Sequence, residues 1–320
     1  MTFQQLTYVV EISKCGSINK AAHKLFLSQS GISTAVRELE QELGIQFFVR
    51  SNRGVEFTPE GREFLGYAVS MLEQKRRIEE LYGESRNAAA PVHFSVSTQR
   101  YPFTDDAFLE MLNHVADNHY QYTIKDTGME EVIADVYEHR ADVGVIFLTK
   151  VTEKIVCHLL DSRDLSFHEL AAVPPCVFVR KGHPLTQLDE VTEADLEGYP
   201  YVCFEQAQGV AVDFAEEFQV FSLKKPSKCI VINNYFTAIN IIAHTDAFST
   251  GSGLLVKRLS PPDVVTVPLA NEPPIRLGWI YPKNAKLTPR VEEFVKLLDE
   301  SIQRSIAYTD AMRKAHWENT

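Results

Sequence analysis

Near the N-terminus two helical patterns lie only three residues apart, and few folds satisfy that spacing. Ser17 is a natural N-cap for a helix over residues 18–25, in which Ala21 and Ala22 are small enough for close helix packing. Phe26 and Leu27 break the pattern, and Ser28 then caps a helix running to about residue 43. Two helices joined by so short a turn form a helix-turn-helix. A preceding helix is predicted from Phe3, Leu6, Val9 and Val10, which recur at helical spacing until Cys15-Gly16 stops them.

The helix from Ser28 sorts its residues by face. Ile32, Val36, Leu39 and Leu43 form a stripe that must be buried. Gln29, Ser33 and Arg37 fall on another face, flanked by Ser30 and Thr34, with no acidic residue from Ser28 through Arg37. Such a surface can enter a major groove, where Gln and Arg read base edges and hydroxyls bind phosphate or base. A merely solvated helix face fits the same pattern. Phe47-Phe48-Val49-Arg50 and Val55-Glu56-Phe57-Thr58 then flank a basic turn, Asn52-Arg53-Gly54, and read as a hairpin. As a wing it would bring Arg50 and Arg53 to the phosphate backbone or minor groove. Thr58-Pro59-Glu60 opens a further helix to about residue 85, with an apolar seam of Phe64, Ala68, Met71, Leu72, Ile78, Leu81 and Tyr82. A second copy of that helix is the economical cover for the seam; packing on its own body is the alternative.

Charge supports this division. The chain carries a net −11, yet residues 1–90 hold eleven Lys+Arg against eleven Asp+Glu, so the excess acid lies beyond residue 90. A neutral head on an acidic body suits DNA binding by one end only.

The run Ser17-Ile18-Asn19-Lys20-Ala21-Ala22-His23-Lys24-Leu25-Phe26-Leu27-Ser28-Gln29-Ser30-Gly31-Ile32-Ser33 resembles the LysR-type transcriptional regulators. Leu39-Glu40, Leu43-Gly44, Phe47-Phe48-Val49-Arg50 and Thr58-Pro59-Glu60-Gly61 follow in the family's order, so the match covers roughly sixty residues. The resemblance implies an N-terminal all-α winged helix-turn-helix, a long linker helix that dimerises, and a C-terminal α/β two-lobed, periplasmic-binding-protein-like effector domain. It further implies a homodimer or homotetramer on a double-stranded DNA operator, with RNA polymerase as a further partner. The DNA-contacting residues would be Ser28, Gln29, Ser30, Ser33, Thr34, Arg37, Arg50 and Arg53. The sequence departs from the family at Ser30-Gly31, where Pro and Ala are usual; Gly31 costs about 1 kcal/mol of helix propensity relative to Ala.

From Val92 short apolar runs alternate with helical patterns, which means βαβ units and a parallel sheet. Strands are predicted at His93–Val96, Tyr122–Ile124 and Asp142–Phe147, with helices over 105–118 and 130–139 between them. A second set comprises strands at 176–179, 201–204 and 229–232, helices near 210–221 and 236–244, then strands at 266–269 and 277–280 and a last helix over about 289–302. The expected division is 1–58 for the DNA-binding domain, 59–88 for the linker helix and 91–305 for the effector domain, with a polar tail over 306–320. Its first lobe would take about 91–162 and 266–305, its second about 163–265. Ligands in such sheets bind in the cleft at the carboxyl ends of strands. Ser97, Thr98, Gln99, Arg100, Thr149, Phe204, Glu205, Tyr235, Thr237 and Thr250 are therefore the expected effector contacts. Hydroxyls beside helix N-termini favour an anionic or hydroxylated metabolite.

No nucleophile elbow, P-loop, metal-spaced His/Cys cluster or dinucleotide fingerprint is present, so no catalytic residue, metal or cofactor is expected. No stretch reaches the roughly 20 apolar residues of a membrane span, and the N-terminus does not read as an export signal, so a cytoplasmic protein is expected. The five cysteines are scattered, with no Cys-x-x-Cys pair. A thiol-based redox regulator of the same fold remains the alternative through Cys203, which has no partner cysteine within about twenty residues in sequence.

Overall fold

The computed structural model describes residues 1–51, 54–82, 92–116, 119–205 and 228–317. The chain divides into two compact units, 1–90 and 91–320.

In the first unit each helix is bounded by its own residues. Helix α1, Phe3–Cys15, starts on a reciprocal cap between Thr2 and Gln5 and ends on Gly16 at φ 61°. Helix α2, Ile18–Lys24, is capped by Ser17, and α3, Gln29–Leu43, by Ser28, with Gly44 closing α3 at φ 69°. Tyr8, Val9, Ile12, Ala21, Ile32, Val36 and Leu39 form the shared core. Leu43, expected in that core, is 39% exposed because it falls in the last turn, beyond the helices that cover Ile32 and Val36.

The wing follows as an antiparallel pair, β1 (Phe48–Ser51) and β2 (Gly54–Phe57). Helix α4, Pro59–Tyr82, is launched by Thr58, whose Oγ1 accepts from the Gly61 N–H at 2.9 Å and donates to the Gln46 carbonyl at 2.6 Å. A Cβ at Gly61 would lie 2.2 Å from the Phe47 carbonyl oxygen, so only glycine lets the helix start this close to the wing. Phe64 stacks on Phe47 at 4.3 Å, and Ala68 and Leu72 pack with Leu6 and Val10 of α1. The expected α4 seam is therefore partly covered within its own unit. Tyr67, Met71 and Ile78, at i, i+4 and i+11, are left exposed.

The second unit holds two lobes. Strands β3 (Val92–Thr98), β4 (Tyr120–Asp126), β5 (Val143–Leu148), β6 (Leu165–Val173) and β12 (Ile275–Pro282) form one sheet in the order β4-β3-β5-β12-β6. Strands β3, β4 and β5 run parallel, joined by helices α5 (Pro102–His114) and α6 (Met129–Tyr137), the crossover connection that parallel neighbours need. Helix α7 (Glu153–Ser162) leads into β6. Every side chain of β5 is buried, and a Cβ at Gly144 would meet Ile280 and Val132 within 2.8 Å.

The other lobe contains β7 (Cys176–Arg180), β10 (Ser249–Gly251) and β11 (Val264–Pro268) as an antiparallel sheet, β10-β7-β11. Strands β8 (Tyr201–Phe204) and β9 (Cys229–Ile232) pair in parallel, and a Tyr201–Phe248 bridge joins them to the segment entering β10. Helix α8 (Tyr235–His244) follows β9 directly. The helix expected near 210–221 lies outside the described residues.

Two expectations change here. The chain crosses between lobes at Val173–Cys176 and again between Pro268 and Ile275, so β6 belongs to the first lobe and β11 to the second, contrary to boundaries at 162/163 and 265/266. Strand β6 escaped the pattern search because it is half-exposed along most of its length. Residues 306–317 are not a tail. Helix α9 runs from Pro289 to Trp317, burying Ser301, Ser305 and Thr309. It packs against α5, and its Phe294 ring lies 5.4 Å from the Phe94 ring of β3. Further along, Thr309 Oγ1 accepts from the Leu255 N–H at 2.9 Å and Arg313 donates to Thr266 Oγ1 at 3.2 Å, so one helix fastens both lobes. Asp106 of α5 reinforces this, bonded by Arg304 and Ser301 of α9 at 2.8 Å each and paired with Arg258 of the second lobe. Burial alone would push the Asp106 carboxyl up, but the bonds from Arg304, Ser301 and Arg258 hold it below the usual carboxylate range.

Candidate nucleic-acid interface and ligand pocket

The exposed start of α3 is built by Ser28. Its backbone is extended (φ −73°, ψ 140°), and its Oγ accepts from the Gly31 N–H at 3.1 Å. Ser30 Oγ donates to the same oxygen at 3.3 Å. No acidic side chain stands in this first turn, so the positive end of the helix faces anions unopposed. Gln29, Ser30, Thr34 and Arg37 are not buried, nor is Ser28. Ser33 is: it is 8% exposed, a correction to its place on the outer face. Residues four apart drift about 40° around a helix of 3.6 residues per turn, and the small Ser33 lands against the packed side beside Ile32. A Cβ on Gly31 would come to 3.0 Å from Ser28 Oγ, so an alanine here gains propensity only by crowding the capping oxygen. Arg53 and the Arg50 side chain lie outside the described residues; β1 carries the Arg50 backbone. Phe26, in the turn before α3, has φ 57° and is 94% exposed.

In the second unit a pocket of about 70 Å³ opens between the first-lobe segment Gln99-Arg100-Tyr101-Pro102 and the second lobe. The second lobe contributes Phe178, Phe204, Tyr235, Ile239, Thr250 and Ser252 among others. Of the expected contacts, Gln99, Arg100, Phe204, Tyr235 and Thr250 line it. Five others do not. Ser97 is fully buried, its Oγ donating to Asp135 at 2.8 Å. Thr98 is fully buried, donating to the Gln99 carbonyl at 2.9 Å. Thr149 and Thr152 bond to each other in the turn before α7, their hydroxyls 3.0 Å apart and the Thr149 hydroxyl accepting from the Thr152 N–H at 3.3 Å. Glu205 and Thr237 are exposed outside the pocket; the Thr237 N–H is taken by Asn234 Oδ1 at 3.1 Å. The buried hydroxyls are spent on Asp135, on the Gln99 carbonyl and on Thr152, which sequence position alone did not distinguish from ligand contacts. The walls Phe178, Ile239, Ile242 and Leu254 went unnamed because apolar residues on strands and helices read as core.

Gln99 is 6% exposed, and its Oε1 has no hydrogen-bond partner among the described residues. A buried amide oxygen without a donor costs about 1–3 kcal/mol, and a ligand carrying an N–H or O–H would remove that cost. Arg100 lies over the Phe204 ring, 3.9 Å from its centroid, so one charged side chain spans both lobes. Burial and the charge of Asp126 push the Asp105 carboxyl up to about 6. Burial, then the Asp105 charge, push the Tyr235 phenol up to about 12, so Tyr235 stays a neutral donor.

Comparison with known proteins agrees with this architecture. Residues 3–62 match the bacterial regulatory helix-turn-helix protein family, lysR type, and residues 117–303 match the LysR substrate binding domain. The chain therefore belongs to the LysR family of helix-turn-helix transcriptional regulators, a DNA-binding domain joined to an effector-binding domain. It is 24% identical to the Hca operon transcriptional activator HcaR of Escherichia coli K12 over 94% of this chain and 98% of that protein. It is 29% identical to the regulator cbl of Klebsiella aerogenes over 64% of this chain, a match spanning 63% of that relative. Among solved structures, full-length CbnR complexed with its target DNA superposes with a TM-score of 0.60 at 18% identity, over 94% of this chain and all of that one. A full-length cysteine-to-aspartate variant of OxyR from Pseudomonas aeruginosa superposes with a TM-score of 0.58 at 19% identity, over 95% of each chain. These last two establish the fold.

Proposed function

We propose that the protein binds a specific double-stranded operator through α3 and the wing, and that a small molecule in the lobe pocket sets how tightly it does so. Ser28, Gln29, Ser30, Thr34 and Arg37 would meet the DNA, with Arg50 and Arg53 on the flanking phosphates. The carrying observation is the exposed start of α3, polar, free of acid and capped open by Ser28. Residues 1–58 act as the DNA-binding domain and 59–88 as the linker, and α4 pairs two copies into a homodimer or a higher homo-oligomer, so the operator is an interrupted inverted repeat. The stripe of Tyr67, Met71 and Ile78 supports that pairing. The effector is a small anionic or hydroxylated metabolite with an apolar body, its polar groups on Gln99, Arg100 and Thr250. The protein works in the cytoplasm, alongside RNA polymerase, without catalysis or cofactor. No described helix is long and apolar enough to cross a membrane, and no described cluster of three His, Cys, Asp or Glu side chains is placed to hold a metal.

Duplexes selected from a random pool by the full chain provide the test. Arg37→Ala is expected to cost about 1–3 kcal/mol with relaxed specificity at one base position. Arg53→Ala should weaken all sequences alike and flatten the salt dependence. Equal, sequence-independent losses for both variants would overturn the assignment.

A further inference from the structure

The two thiols of Cys203 and Cys229 lie 3.2 Å apart, Sγ to Sγ, on neighbouring parallel strands. We propose that they form a reversible intramolecular disulfide, and that its formation reshapes the ligand pocket. Tyr201 of β8 is the direct partner of Cys229 in β9, so Cys203 is its diagonal neighbour on the same face of the pair. Twenty-six positions separate them in sequence, and only the strand register brings them together. Cys203 is 1% exposed, whereas Cys229 is half-buried and is the sulfur an oxidant reaches first.

A hydroperoxide is the oxidant class that fits. The Cys229 sulfur attacks the peroxide, the O–O bond breaks, and the sulfur becomes a sulfenic acid while the other oxygen leaves as an alcohol or, from hydrogen peroxide, as water. The Cys203 sulfur then attacks the sulfenic sulfur, the S–S bond forms, and its thiol proton leaves with the hydroxyl as a second water. Two thiols lose two electrons and two protons, and the peroxide gains them. Two equivalents of a small thiol reverse the change, leaving as their own disulfide.

Closing the bond has a mechanical consequence. The two sulfurs lie 3.2 Å apart, while a disulfide bond is about 2.0 Å long, so closing it draws β8 and β9 toward each other at this point. Both strands feed the pocket. Phe204, next to Cys203, is the ring beneath Arg100. Strand β9 runs through Asn234 into α8, whose Tyr235, Ile239 and Ile242 line the cavity. The Glu205 N–H bond to the Ile232 carbonyl at 2.6 Å ties the two strand ends together, so the movement is passed to both walls.

The site stands on the sulfur geometry; its effect on DNA rests on the regulator reading above. The full-length chain is treated with stoichiometric hydrogen peroxide, unfolded, alkylated and mapped by mass spectrometry. Free thiols should fall from the five of the reduced chain to three, with one linked peptide joining Cys203 to Cys229 and restored by dithiothreitol. Cys229→Ser should keep all four of its remaining thiols. Five persisting thiols in the wild type, or losses mapping to Cys15, Cys157 or Cys176, would overturn the site. Retention of a pool-selected duplex is expected to change by about tenfold between the reduced and linked forms. Unchanged retention with the link formed would overturn the coupling. A reduced chain that retains no duplex would sink the regulator reading, while the linked peptide still decides the cysteine pair.

Discussion

Phe26 occupies backbone that L side chains with a large Cβ substituent avoid. Its φ of 57° is a left-handed conformation costing about 1–2 kcal/mol outside glycine and asparagine, and at 94% exposure it recovers nothing from packing. Phe26→Asn is therefore expected to raise the melting temperature of the N-terminal unit in a calorimetric scan. If the ring also lies against DNA, the same variant weakens duplex retention, and the two readouts separate stability from contact. Asp105 makes the second prediction at this scale. An acid whose folded-state pKa is raised from 3.8 to about 6 destabilises the fold once ionised. The folded chain holds its proton between about pH 4 and 6 while the unfolded chain releases it, so stability falls as pH rises through that window. With Asp126 the repelling charge, Tyr235 beside it and Arg100 near Asp126, Asp105→Asn should raise the urea midpoint at pH 7.5 by about 1–3 kcal/mol equivalent and leave it unchanged below pH 4. An equal gain at both pH values would refute this account.

Helix boundaries set by local chemistry were legible in the sequence. Ser17, Ser28 and Gly16 act within a few residues of themselves, as does Thr58 in capping α4, so those roles need no tertiary information. Most of what escaped depended on distant packing, and α7 is the exception. Helix α7 was missed although Ile155, Val156, Leu159 and Leu160 repeat at helical spacing. The last turns of α9 hide their buried face in hydroxyls: Ser301, Ser305 and Thr309 recur every fourth residue, a stripe that a search for apolar periodicity passes over. Pocket walls and the Cys203–Cys229 neighbourhood likewise follow from sheet register, which no local pattern encodes. Thr309→Val tests the stripe. Valine keeps the shape but leaves the Leu255 N–H buried without its acceptor, an expected loss of about 1–3 kcal/mol. Hydrogen exchange at the Leu255 amide should accelerate accordingly.

At the scale of the whole molecule, α4 presents Tyr67 at 63% and Ile78 at 60% exposure on one stripe. Ile78→Glu puts a charge on that stripe without disturbing the Phe64, Ala68 and Leu72 face that packs on α1. Sedimentation should show a shift toward smaller species, with melting of the N-terminal unit unchanged and duplex retention reduced. An unaltered sedimentation profile would argue that this stripe does not pair. Unequal charge balance in the two units adds to the selectivity of orientation, since only the neutral residues 1–90 approach a polyanion without repulsion.

Helix α9 works as a strap across the two lobes of the effector domain. Its Ser301 and Arg304 hold Asp106 of α5, while Thr309 and Arg313 reach Leu255 and Thr266 of the other lobe. Any parting of the lobes along this edge must first break those bonds, so the strap sets a floor under the cost of opening there.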